Sequence, residues 1–216
     1  MATPLEKARR DPTSMKGRIL DSARRLFGSY GFHGTTTRMI AKDVGIDIST
    51  FHYHWGDKVD LYESVIADIN EGLRQQLLVV EEKIRGLPLR VRVEMAVGMM
   101  IDYLFANPEI ANLTILQYFT RTRMDSDITI KTPDFLSDIA FSMGLAGHRR
   151  KVSREARMKV LVMTNAIYSF TSGRQMFERM LESDRETYVA MVKETLNFYF
   201  AAPFGEGDDE TGNTGA

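Results

Sequence analysis

Between Thr36 and Lys58 the chain reads TTRMIAKDVGIDISTFHYHWGDK, two helical stretches of about eight and seven residues joined at Gly45. Helices this short are unstable alone in water, so each must pack on the other and on the helix before them. The residue types fit that demand. Ala41 is small where two helices would cross closely, and Gly45 can take the left-handed backbone of a tight turn. Ile40, Val44, Ile46 and Phe51 are spaced to share a core with Leu26 and Phe27. A small residue, a glycine four later and an apolar residue six after that is the steric skeleton of a helix-turn-helix.

The outward face of this segment has different chemistry. Ile48, Ser49, Thr50, His52, Tyr53 and His54 offer hydroxyls, imidazoles and one aliphatic group, with no acid after Asp47, the expected cap. Such groups can bond base edges or phosphates, and Ile48 can meet a thymine methyl. Thr36, Thr37 and Arg38 begin one helix and Lys58 begins another, where free backbone N–H groups and the helix dipole attract phosphate.

From Ile19 to Val65 the chain resembles the TetR family of bacterial repressors. The resemblance rests on Ala23, Phe27, Gly31, Thr36-Thr37, Ile40-Ala41, Gly45, Phe51-x-Tyr53-His54-Trp55, Lys58 and Leu61. It implies phosphate contacts for Thr36 to Arg38, Tyr53, His54 and Lys58, and base-facing positions for Ile48 to Thr50 and His52. The chain departs from the family in Gly56-Asp57 before Lys58, where members vary.

Helical periodicity extends along nearly the whole chain, with no alternating strand pattern, so an all-α fold is expected. Nine helices follow from the breakers and caps. The first runs from about Met15 to Tyr30 and the two just described follow it. A fourth is capped by Asp57, and a fifth starts after Pro88. Asn107-Pro108 opens a sixth and Thr132-Pro133 a seventh. Ser153 caps a long eighth that can bend at Gly173, and Ser183 with Glu186 has capping-box spacing for a ninth. Residues 1–13 read as a flexible arm, 14–60 as a three-helix DNA-binding head, 61–202 as a ligand-binding and dimerisation body, and 203–216 as a disordered acidic tail.

The net charge of −1 hides an asymmetry that suits a DNA binder. Residues 1–58 carry ten lysines and arginines against six acids, a net +4, and the rest carry 18 against 23, a net −5. Without cysteine there is no disulfide, thiolate zinc site or thiol nucleophile. His52 and His54 diverge on a helix and cannot share one metal. No phosphate-cradling glycine loop or nucleophile turn occurs, so no metal, cofactor or catalytic activity is expected. The absence of a signal peptide or an apolar run of spanning length leads to a cytoplasmic, non-membrane expectation.

The last two helices carry apolar residues nearly all round, which calls for cover on two sides. A homodimer interface is therefore expected, built from Val160, Leu161, Met180, Tyr188, Met191, Val192, Leu196 and Tyr199. Two heads on a palindromic operator would then couple their binding energies. The resemblance implies the same dimer and a small-molecule pocket. Candidate lining residues are Met99, Met100, Tyr103, Leu116, Gln117, Phe119, Phe141, Met163, Asn165, Ile167, Phe170, Arg174 and Phe177, since methionines and aromatics adapt to apolar ligands. The combined reading is a homodimeric repressor of double-stranded DNA released by a small, largely apolar effector. The alternatives are a constitutive DNA-binding dimer without a ligand, and an α-helical enzyme carrying a DNA-binding head.

Overall fold

A computed structural model describes residues 2–119 and 135–201. Within them the chain is all-α, with eleven helices: α1 (Pro4–Arg10), α2 (Met15–Gly34), α3 (Thr37–Val44), α4 (Ile48–Trp55), α5 (Lys58–Ile84), α6 (Leu89–Ala106), α7 (Pro108–Phe119), α8 (Phe135–Ser142), α9 (Arg154–Ser172), α10 (Arg174–Met180) and α11 (Arg185–Ala201). The expected acidic tail and the Thr132-Pro133 start of the seventh helix lie outside the described residues.

Two helices exceed the nine read from sequence, each for a local reason. The expected arm contains α1, closed by a capping box in which Thr3 and Glu6 satisfy each other's backbone N–H groups. Ala8 is buried, and Arg9 bonds Asp68 at 2.8 Å, so this segment is docked on the head. The long eighth helix is two, α9 and α10, divided at Gly173 (φ −82°, ψ 3°). A Cβ there would lie 2.4 Å from the Phe177 ring, so the break uses the missing side chain as space. The cap of α11 also shifts by one residue. Asp184, not Ser183, accepts the backbone N–H of Thr187 at 2.8 Å.

By internal contacts the chain forms two compact units. The first is Met1–Gly72 with Pro108–Thr132, and the second is Leu73–Asn107 with Pro133–Ala216. In the first, α2 packs on α1, α3, α4 and α7. Its core includes Ile19, Phe27, Ile40, Phe51, Leu61, Val65 and Ile110, all fully enclosed. Burying each such side chain stabilises the unit by about 1.5–3 kcal/mol. The Arg24 guanidinium lies 2.7 Å from the Glu109 carboxylate of α7 and 3.7 Å from that of Asp68 of α5, so α7 is held to α2 by charge as well as by apolar contact.

In the second unit α11 packs on α6, and α9 packs on α6 and α8. Tyr188 is wholly buried there, and its hydroxyl donates to the Phe170 carbonyl oxygen at 2.9 Å. Burial, first, and the nearby Glu178 carboxylate push its pKa up to about 12. Four residues expected at a dimer interface are therefore core residues of the subunit. Val160, Tyr188, Val192 and Leu196 are each 4% exposed or less, because they lie on the inward faces of α9 and α11. Periodicity identified these helices as apolar but could not say which apolar stripe faces inward.

Candidate nucleic-acid interface

The turn between α3 and α4 is built from its backbone. Gly45 ends α3 at φ 78°, ψ 39°, its N–H directed at the Lys42 carbonyl oxygen, while the Ile46 N–H bonds that of Ala41 at 2.9 Å. This is the paired closure that a left-handed C-terminal glycine allows. Arg18 of α2 adds a side-chain cap, donating from Nη2 to the Val44 carbonyl oxygen at 2.6 Å. The arginine at position 25 bridges Asp21 and Asp43, tying α2 to α3. Asp47 then opens α4, accepting the Thr50 N–H at 2.8 Å and its hydroxyl at 3.0 Å.

Phe51 and Trp55, one turn apart, anchor α4 in the core. The indole N–H of Trp55 donates to the Lys16 carbonyl oxygen at 3.2 Å, so the tryptophan is a structural wedge. With that face buried, Ile48, Ser49, His52 and Tyr53 face solvent, Tyr53 at 84% exposure. Thr50 is half-buried with its hydroxyl proton committed to Asp47, which leaves the oxygen only as an acceptor. His54 is half-buried beside Lys16.

At the start of α3, Thr36 is the N-cap, and its hydroxyl oxygen accepts the Met39 N–H at 3.2 Å. Thr37 follows half-buried, and Arg38 is exposed. Lys58 differs from its sequence reading as an open phosphate ligand. Its ammonium donates to the carbonyl oxygens of Phe32 and Thr35, at 3.0 and 3.1 Å, and lies over the Phe32 ring. Desolvation in that niche lowers its pKa. The two carbonyls are available because Phe32 lies in the last turn of α2 and Thr35 is its C-cap, where no helical N–H reaches them.

Residues 19–65 match the sequence model described as bacterial regulatory proteins, tetR family. This segment belongs to the tetR family. The HTH-type transcriptional repressor AcnR of Corynebacterium glutamicum is 27% identical to this chain over 129 residues, 54% of this chain and 68% of that protein. A second relative, the biofilm operon icaADBC HTH-type negative transcriptional regulator IcaR of Staphylococcus aureus, is 40% identical over 52 residues. That match covers 24% of this chain and only 28% of the relative. Among solved structures, FadR of Bacillus subtilis in complex with stearoyl-CoA has the same fold, with a TM-score of 0.61 and 15% identity over 87% of this chain and 98% of that one. The fatty acid degradation regulator FadR of Bacillus halodurans does too, with a TM-score of 0.59 and 16% identity, covering 83% and 93%. The head is that of a tetR-family DNA-binding regulator.

Outside the head, the candidate ligand residues are divided between the two units. Leu116 and Gln117 belong to the first unit, where the Gln117 amide approaches the Tyr62 hydroxyl at 3.4 Å; the Phe119 side chain lies outside the described residues. The others belong to the second unit. Met99 and Met100 pack on Val80, Ile84 and Ala96, while Met163 and Ile167 are buried. Tyr103 is half-buried, Phe141 lies beneath the Arg149 guanidinium, and Phe170 meets Phe177 edge to face. Asn165 donates to the Leu161 carbonyl oxygen at 2.8 Å, and Arg174 bonds Glu178 at 2.8 Å.

Sequence reasoning missed Lys16 and Arg18, whose partners lie 38 and 26 residues away with no local signal. It also missed Met158, Val162 and Phe198, which are the exposed apolar residues of α9 and α11 together with Met191 and Tyr199. An i, i+4 reading of 158 and 162 as a stripe separate from Val160 would have found the first two. No helix among the described residues is long and apolar enough to cross a membrane, and no group of three or more His, Cys, Asp or Glu among them could hold a metal ion.

Proposed function

We propose that this regulator is a cytoplasmic homodimeric repressor that binds a palindromic operator through α4 and is released by a small, largely apolar effector. The observation that carries the DNA reading is the division of α4 into a buried face, Phe51 and Trp55, and a solvent face bearing Ser49, His52 and Tyr53. On this reading Ile48, Ser49, Thr50 and His52 meet bases. Thr36, Thr37, Arg38, Tyr53 and His54 meet phosphates, and Lys58 supports them from behind. Met158, Val162, Met180, Met191, Phe198 and Tyr199, 40–70% exposed in one subunit, support a dimer through α9, α10 and α11, with half-buried Leu161 beside them.

Selection of bound fragments from random duplex DNA tests the first claim. A two-fold symmetric sequence with half-sites about 34–36 Å apart is expected; binding without sequence preference would overturn it. For the effector, long-chain acyl-CoA thioesters are the first probe, because a regulator of the same fold was solved with stearoyl-CoA. Linkage requires effector and operator to weaken each other by the same factor. Calorimetry giving equal acyl-CoA affinity with and without operator would refute release by that class. The ligand-free alternative is favoured by Asn165 and Arg174, each of which already spends a donor on a partner inside the chain.

A further inference from the structure

The two histidines of α4 stand two residues apart, and each has one ring nitrogen committed to a partner of fixed chemistry. Nδ1 of His52 lies 2.6 Å from the Gly56 carbonyl oxygen. A carbonyl only accepts, so neutral His52 carries its proton on Nδ1, and Nε2 is left with a lone pair. Nδ1 of His54 lies 3.4 Å from the Lys16 ammonium. An ammonium has three donors and no lone pair, so this Nδ1 must accept and the proton sits on Nε2. The sequence His-Tyr-His gives no hint of this difference.

Lys16 is itself held in place. Its ammonium donates to the His54 carbonyl oxygen at 2.5 Å, and its own carbonyl oxygen accepts the Trp55 indole N–H. A cation on the last carbonyls of α4 also suits the helix dipole. Burial and then the Lys16 charge lower the His54 pKa, which keeps the ring neutral; Lys7 of α1 is the other cation acting on Lys16. Tyr53 meets the His54 ring edge-on, and Phe51 meets His52 in the same way.

We propose that the folded head fixes His52 and His54 in opposite neutral tautomers, so that α4 presents an imidazole acceptor at His52 and an imidazole N–H donor at His54, with Lys16 the positioning residue for the second. The DNA half of this rests on α4 facing the operator. There, the His52 acceptor selects an exocyclic amino group, adenine N6 or cytosine N4, and the His54 donor takes a phosphate oxygen.

The tautomers are read without DNA. The full chain, labelled with ¹⁵N in its four imidazoles, is assigned by single His→Gln variants, and each ring nitrogen is scored as protonated or bare by NMR. Expected are protonated Nδ1 with bare Nε2 at His52, and the reverse at His54. The same tautomer at both, or averaging at either, overturns the proposal. Lys16→Met should let His54 average between tautomers and raise its titration midpoint, with His52 unchanged, and Lys16→Arg, also donor-only, should restore the pattern. An unaltered His54 in Lys16→Met would remove Lys16 from the role.

The selected operator tests the DNA half separately. His54→Gln, whose amide nitrogen reaches the place of Nε2, should stay within about threefold of the parent, and His54→Asn should lose about tenfold. If both bind like the parent while the NMR pattern holds, the phosphate contact fails and the tautomers stand. If the NMR pattern is absent while the operator is bound, the tautomers fail and the DNA reading stands.

Discussion

The Lys58 ammonium sits 3.0 Å from the carbonyl oxygen of Phe32 and 4.1 Å from the centre of the same residue's ring. One lysine at the start of α5 thus closes the exposed end of α2, with the Thr35 carbonyl as second acceptor. Lys58→Met keeps the aliphatic stem and removes the donors. It should destabilise the head by about 1–3 kcal/mol in urea unfolding, because partly buried carbonyls lose their partner. The slope of log K against log salt for operator binding should not change. A drop of about one unit would mean that the lysine neutralises a phosphate after all.

Gly45 offers a clean test of backbone strain. A Cβ there would meet nothing within 4 Å, yet φ is 78°. Gly45→Ala should therefore cost about 1 kcal/mol from conformation alone, and Gly45→Asn less, since asparagine tolerates the left-handed region better. Equal stability of the Ala variant and the parent would show that the turn does not hold this shape.

Arg24 and Glu109, with side chains 23% and 17% exposed, join α2 to α7. A double-mutant cycle with Arg24→Ala and Glu109→Ala should give a coupling of about 1 kcal/mol, at the upper end for screened pairs. Strict additivity would reduce the bridge to a bystander of the apolar packing.

The Asp47 carboxyl is held below its ordinary value of 3.8, first by the Thr50 N–H and then by the Thr50 hydroxyl. The folded head therefore releases this proton more readily than the unfolded chain does. Its stabilising effect is complete above the ordinary value and is lost as pH falls through the lower folded one. Asp47→Asn can still cap α4 but cannot titrate. The stability gap between parent and this variant should be constant near neutrality and close only in acid. A gap that instead opened on acidification would have the wrong sign.

Phe198 and Tyr199 are 68% and 66% exposed at the end of α11. Phe198→Glu should shift the protein from dimer to monomer in light scattering. It should also weaken operator binding by about a hundredfold or more, because the second head is no longer tethered. Retention of a dimer would move the interface off this stripe.

The sequence by itself determined the helix-turn-helix. Ala41, Gly45, Phe51 and the cap Asp47 act on neighbours within a few residues, so spacing alone specifies the turn and the buried side of α4. It also determined that α9 and α11 are apolar. Tertiary structure decided the rest, because those choices are made between residues far apart in the chain. Val160 and Val162 look alike in the sequence, but only Val160 lies against the core. Lys58 looks like any helix-start cation until the packed end of α2 gives it two carbonyls. The two histidines of α4 become chemically distinct only where the packing of α2 sets an ammonium beside one of them.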